Sequence, residues 1–312
     1  MKKILLALIV GVLLSCCVLS AVCFAGDGNA ASSAEEYKNT QEYILTKQFC
    51  ENYGDRSKQD NEIKVANALA DEFKAIDGMD VDLQTGINVE TSQTTYQTAN
   101  VVAKLDTPSK KIVVIGAHYD NAGTGEGAAD NATGIVTMYL LAKRLAEVKS
   151  SLPFDVYFVA FGGEEQGLCG SKYFVKDLKQ NGDLGNVLVM FNLDGIAGGD
   201  DLYVQCENKS TDLENLLVAS SKNLSTKLNV KPYAAGISAM VDAYGYGYYE
   251  TTQNSDHTPF RLEGVPTALF FSGSFSYLDG YSESADATKR VSNTSQDTFK
   301  NLEANRGAEF VK

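Results

Sequence analysis

Histidine is scarce in this 312-residue chain, limited to His118 and His257, and tryptophan is absent. A metal site built here has only two imidazoles to draw on, so oxygen ligands must supply the rest. No Lys/Arg-rich run occurs and the formal net charge is −13, which excludes the basic surface that a nucleic-acid partner needs. The six cysteines show no zinc-finger or redox spacing. Cys16, Cys17 and Cys23 fall in an N-terminal apolar run. Cys50, Cys169 and Cys206 are odd in number and far apart, which excludes a disulfide scaffold. These three read as buried free thiols, with one disulfide as the alternative. Neither an internal repeat nor a second core is visible. Hydrophobic residues make up 44% of the chain, enough for one well-buried domain.

The chain opens with Lys2 and Lys3, an apolar run from Ile4 to Ala25, and then a small, polar stretch. This is the layout of an export signal at 1–25, with cleavage expected after Ala25. The run is also long enough for an uncleaved membrane anchor, and "LLSC" ending at Cys16 resembles a lipoprotein box. The expectation is a secreted or cell-surface protein, with membrane attachment through this segment or a lipid on Cys16. Residues 26–36 read as a linker and 37–312 as one catalytic domain.

From there strands and helices alternate. "AEEYKNTQEYILTKQF" and "DNEIKVANALADEFKAI" carry helical spacing. "VDLQT", "TTYQTANVVAKLD", "KKIVVIGAHYD", "FDVYFVAFGG", "GNVLVMFNLD", "DLYVQC" and "PTALFF" read as strands. "ATGIVTMYLLAKRLAEV", "SKYFVKDLK", "TDLENLLVASSKNLSTKL" and "HTPFRLEG" read as helices. The expected fold is α/β, a single domain whose central, mostly parallel mixed sheet is flanked by helices on both faces. Ligands of such sheets bind at the carboxyl ends of the strands. The three most apolar strands end there in "GAHYD", "GGEEQG" and "NLDG".

Like-charged carboxylates at short range resist joint ionisation, and a divalent cation resolves the conflict. His118, Asp130, Glu165 and Asp194 offer the imidazole and oxygen donors that suit zinc. Glu164 and Glu165 are adjacent, so their side chains diverge: one can bind metal while the other takes a proton from a metal-activated water.

The ordered set "GAHYD…GAADNATG…FGGEEQGLCGS…NLDG…SDHTPF…NTSQDT" resembles the di-zinc exopeptidases, a family of secreted bacterial aminopeptidases with glutamate carboxypeptidase, glutaminyl cyclase and transferrin receptor relatives. The likeness runs from about Asn100 to Asp297. It implies the zinc-exopeptidase fold (phosphorylase/hydrolase-like) and two zinc sites. His118, Asp130 and Asp194 would hold one zinc, and Asp130 would bridge to a second held by Glu165. Glu164 would be the general base, and Asp120, counted with the catalytic residues, would steady the His118 ring. The Asp130–Asn131 bond is the counterpart of a peptide often cis in the family. A tyrosine that polarises the scissile carbonyl would come from Tyr244, Tyr246, Tyr248 or Tyr249.

Asn293 stands where the family has its last histidine ligand, and an amide oxygen binds zinc more weakly than imidazole. The second zinc is therefore expected to be weak. Asp256 and His257, in "SDHTPF", are candidates for support behind the ligands or for a substitute ligand. Ala129 replaces an acidic residue or Asn of many relatives, and the family's final helix is expected to be trimmed or absent. Plainer roles exist for several of these residues. Asp130 could cap the helix at "ATGIVTMYLL", Asp256 and His257 could cap the helix at "TPFRLEG", and the two glutamates could be solvated loop charges. The expected activity is removal of N-terminal residues from peptides. The alternatives are an inactive metal-binding surface module, favoured by Asn293, and a glutaminyl-cyclase-like acyl transferase.

Overall fold

The computed structural model describes residues 36–92, 94–199, 201–206, 211–222, 228–230, 255–276, 280–282 and 291–306. Among these, strands run in chain order as β1 (Asp80–Glu90), β2 (Thr95–Leu105), β3 (Ile112–His118), β4 (Asp155–Phe161), β5 (Val187–Leu193), β6 (Asp201–Cys206), β7 (Leu228–Val230), β8 (Thr267–Ser276) and β9 (Gly280–Ser282). They form one mixed sheet in the order β1-β2-β4-β3-β5-β8-β6-β7, with β9 paired to β8. The ladders joining β4, β3, β5 and β8 are parallel. The β1–β2, β2–β4 and β6–β8 ladders are antiparallel. All seven residues of β3 are buried, as expected of a central strand covered on both sides.

Seven α-helices are described: α1 (Gln41–Asn52), α2 (Gln59–Lys74), α3 (Thr133–Glu147), α4 (Cys169–Asn181), α5 (Thr211–Ser221), α6 (His257–Leu262) and α7 (Phe299–Arg306). The alternation of β3 shows how they cover the sheet. Val113, Ile115 and Ala117 face a core shared with Phe49 of α1, Val65 and Phe73 of α2, and Met138 of α3. Ile112 and Val114 face the opposite core, with Phe174 and Leu178 of α4 and Phe260 of α6. Period-2 alternation in the strand thus sends neighbouring residues to two separate helix layers.

Two local expectations change. The first helical stretch is not continuous: a 3-10 turn (Glu36–Asn39) precedes Thr40, whose hydroxyl accepts the Tyr43 amide at 3.3 Å and starts α1. β1 does not end at Thr85 but continues past Gly86, which has φ 75° where the β1–β2 register shifts. The glycine makes a bulge within the strand rather than its end. The last helix among the described residues, α7, has eight residues and docks on α1 through Tyr43, which packs edge-on to Phe299 and donates to Glu303 at 2.9 Å. No helix of the described residues is long and apolar enough to cross a membrane. The apolar run at 4–25 and the tyrosines at 244, 246, 248 and 249 lie outside the described residues.

Candidate metal centre

β4, β3 and β5 lie side by side, so their carboxyl ends bring three distant sequence segments together. His118 is the last residue of β3, and its side chain is 1% exposed. Its Nε2 lies 3.0 Å from Asp130 Oδ1 and 3.2 Å from Asp194 Oδ1. One ligand atom from each of the three residues falls within 4.8 Å of the others. Ligands about 2.0–2.1 Å from a tetrahedral zinc are roughly 3.3 Å apart, so the spacing around Nε2 fits one ion. Glu165 adds a buried carboxylate oxygen, Oε1, that has no hydrogen-bond partner. Buried polar atoms are otherwise almost always paired, so this orphan and the donor set both fit a cation.

The titration behaviour agrees with a site that demands positive charge. Burial opposes the charged form of His118, but Asp194 and Glu164 outweigh it and hold the ring well above its usual range. Burial pushes Glu165 up to about 8, with the charge of Asp130 adding. Burial also drives Glu164 well above the usual carboxylate range; His118 pulls it down, while Asp194 and Asp256 push it further up. Asp194 alone falls below its ordinary value, because His118 and the Ser255 hydroxyl outweigh the effect of burial. Repulsion of this kind is relieved by a proton or by a metal.

Asp120 holds the base of the site. Its carboxylate accepts the amides of Glu164 and Glu165, at 3.0 and 3.1 Å, one on each oxygen. The same carboxylate is 3.6 Å from His118 Nδ1, while the Asp120 carbonyl is nearer, at 3.2 Å. Asp120 therefore acts by positioning both glutamates, a role that its place in the sequence did not suggest. The two glycines before the doublet are a packing requirement. A Cβ on Gly162 would collide with the Thr98 hydroxyl and lie 2.6 Å from the Tyr119 hydroxyl, and Gly163 has φ +66°. The glutamates are half-buried and both line the site cavity, so they are not solvated loop charges.

Asp130 lies in a kinked turn (Ala128–Ala132), and the Asp130–Asn131 peptide is cis. It does not cap a helix: α3 starts at Thr133 after Ala132. Asp297 holds this turn, accepting the Ala129 amide at 2.7 Å and the Asp130 amide at 3.1 Å. Burial pushes Asp297 up to about 7. Asp194 is fixed by Ser255, whose hydroxyl donates to Oδ2 at 2.6 Å and accepts from Asn192 at 2.7 Å. Asp297 and Ser255 sit inside quoted motifs, yet spacing alone assigned neither a task. Arg56, fully buried, was also missed. Its guanidinium donates to the carbonyls of Tyr53, Tyr119, Glu126 and Gly127, tying down the loop between β3 and Asp130.

A cavity of about 440 Å³ opens over these groups, lined by His118, Asp130, Glu164, Glu165 and Asp194 and walled by Leu168, Ala197, Phe271 and Val291. Asn293 lines the same cavity with an exposed side chain and φ 58°. Asp256 and His257 are buried and do not line the cavity. Asp256 holds the N-cap position of α6 but its side chain makes no capping bond. Burial pushes it up to about 7, and burial lowers His257 to about 4, so that ring is neutral at pH 7. Cys50 is a buried free thiol and Cys169 a half-buried one, and Cys206 is buried in β6.

Residues 100–310 match the profile of Peptidase family M28. Aminopeptidase YwaD of Bacillus subtilis (strain 168) is 30% identical over 211 residues, which cover 64% of this chain and 42% of that protein. A probable lipoprotein aminopeptidase, LpqL of Mycobacterium tuberculosis, is 28% identical over 61% of this chain and 37% of its own length. The chain thus spans well under half the length of these relatives. Among solved structures, an Acidobacteriales bacterium glutaminyl cyclase superposes with a TM-score of 0.64 at 18% identity, covering 92% of this chain and 95% of that one. A leucine aminopeptidase precursor from Bacteroides thetaiotaomicron gives 0.61 at 16% identity, covering 91% and 97%. At these identities the likeness is one of fold.

Proposed function

The chain belongs to peptidase family M28, and from that premise we propose that it is a zinc-dependent aminopeptidase that removes N-terminal residues from peptides. The observation that carries this reading is the convergence of His118 Nε2 with Asp130 and Asp194 beside the buried, unpartnered Glu165 oxygen. In this reading His118, Asp130 and Asp194 hold one zinc, and Asp130, Glu165 and Asn293 hold a second, weaker one. Bound zinc lowers the pKa of water and polarises a carbonyl.

The chain's own groups do the rest. Glu164 faces the cavity from a loop clamped by Asp120. Its raised proton affinity suits a group that takes a proton from the attacking water and returns it to the leaving amine. The carboxylates around the cavity favour a cationic peptide N-terminus over a terminal carboxylate.

Hydrolysis of amino-acid amides tests the proposal. Glu164→Gln is expected to lower kcat by roughly 10²–10⁴ with zinc content unchanged; an unaltered kcat overturns the assignment. Metal titration of chelator-treated protein is expected to give one tight and one weak equivalent, and two equally tight ones would refute the weakening assigned to Asn293. The fold does not favour the acyl-transferase alternative, since the likeness to glutaminyl cyclases is matched by that to aminopeptidases. Export through residues 1–25 belongs to the same proposal, and an intact mass beginning at Gly26 would support it.

A further inference from the structure

The loop that carries Glu164 rests on a set of hydroxyls that Asp120 does not touch. Glu62, in the first turn of α2, is fully buried although nothing in its sequence setting requires it. Its Oε1 accepts the Tyr96 hydroxyl at 2.6 Å and its Oε2 the Thr98 hydroxyl at 2.5 Å. Tyr96 also reaches Gln166 at 3.1 Å, and the Thr98 hydroxyl contacts that of Tyr119 at 3.2 Å. The Gly163 amide faces the same carboxyl group and favours its charged form. Gly162 has no room for a side chain against Thr98 and Tyr119. Residues 162, 163 and 166 of the glutamate loop are thus seated on groups that Glu62 organises, while the amides of 164 and 165 are seated on Asp120.

We propose that Glu62 is a positioning residue: its carboxyl group orients the Tyr96 and Thr98 hydroxyls and the Gly163 amide that form the floor of loop 162–166, and so sets where Glu164 and Glu165 stand. Glu62, Tyr96 and Thr98 all precede the residues matched by the family profile, so this floor is built by the segment that α2 and β2 contribute. Its effect on turnover rests on the aminopeptidase reading; its effect on the loop does not.

Amide hydrogen exchange of the full chain, followed in a peptide covering 162–168, tests the loop directly. In Glu62→Ala, exchange there is expected to quicken by about tenfold or more while peptides from β3 and β5 are unchanged. kcat on amino-acid amides is expected to fall by roughly 10- to 100-fold. The tight zinc equivalent should be retained, because His118, Asp130 and Asp194 do not touch Glu62. Glu62→Gln, which keeps one acceptor and the side-chain shape, should restore most of both properties. Tyr96→Phe, a milder cut in the same network, should speed loop exchange by a few-fold and keeps the test decisive if the alanine variant does not fold. Unaltered exchange at 162–168 in folded Glu62→Ala, or in Tyr96→Phe if alanine is not tolerated, would overturn the proposal. Faster loop exchange in a chain with no measurable peptidase activity would uphold Glu62 and count against the aminopeptidase reading alone.

Discussion

Replacing Asp120 by Asn separates the two things a buried carboxylate does here, holding backbone and adding charge. Each Asp120 oxygen accepts one amide, at 3.0 and 3.1 Å. Asn keeps one acceptor and turns an NH₂ toward the second amide. That loses one charge-assisted bond and leaves a buried donor facing a donor, a cost of about 3 kcal/mol. The charge acts in the opposite direction. Asp120 repels Glu62, Asp130, Glu164, Glu165 and Asp256, raising the proton affinity of each.

A pair of like charges ~7 Å apart at an effective dielectric of about 20 repels by roughly 2 kcal/mol. Burial keeps several of these groups partly protonated at neutral pH, so neutralising Asp120 recovers only part of that sum. In the metal-free protein the relief and the lost bond nearly cancel, leaving a destabilisation of under ~1 kcal/mol. With zinc bound the carboxylates are already compensated, and the full cost of about 3 kcal/mol remains. The difference, about 2 kcal/mol, must appear as zinc affinity weakened by roughly 30-fold. Urea unfolding of Asp120→Asn with and without zinc, together with a competition titration, measures all three quantities. Equal destabilisation in both states with unchanged zinc affinity would refute the electrostatic half of the reasoning.

Three further outcomes are expected. Arg56→Met removes the donor from four carbonyls, those of Tyr119 and Gly127 buried and those of Tyr53 and Glu126 part-buried; a loss of about 3 kcal/mol or more in urea unfolding is expected, with partial recovery in Arg56→Lys, and a loss below ~1 kcal/mol would contradict the clamp. Ser255→Ala strips the 2.6 Å bond from Asp194 and should weaken zinc by about tenfold or more, which isothermal titration reads. Glu62, held at about 7 by burial and by the charge of Asp120 against an ordinary 4.5, binds its proton more tightly folded than unfolded. Its contribution is full below pH 4.5 and lost as pH rises through 7, so Glu62→Gln should gain on the parent by up to ~3 kcal/mol between those limits in chelator-treated protein. A gap that stays flat with pH would show that burial does not set this carboxyl group's titration.

Much of the site was legible along the chain because each piece ends a buried strand. His118 closes β3, Glu164 and Glu165 follow β4, and Asp194 follows β5. An apolar run interrupted by acidic groups is visible without coordinates, since a strand must end where its burial ends. Asp130 was recognised as a candidate ligand, but its helix-capping alternative failed because the kinked turn at Ala128–Ala132 is held by Asp297, 167 residues away. The task of Asp297 was not legible for the same reason: a carboxylate that caps two amides has no local pattern to announce it. Glu62 reads as one more charged residue of an amphipathic helix, and Arg56 as one more loop cation.

The order of apolar strands and acidic termini, the shortage of histidine and the glycine pair were enough to determine the α/β sheet, the edge at which chemistry is sought and the donor set offered to a cation. Those features are local, set by side-chain periodicity and by what a strand end can expose. Only the tertiary structure decided which carboxylates face His118, which ones hold backbone instead, and which buried charges steady the loops between them. Coulomb repulsion and hydrogen bonding depend on distance through space, and β4, β3 and β5 become neighbours only when the sheet closes.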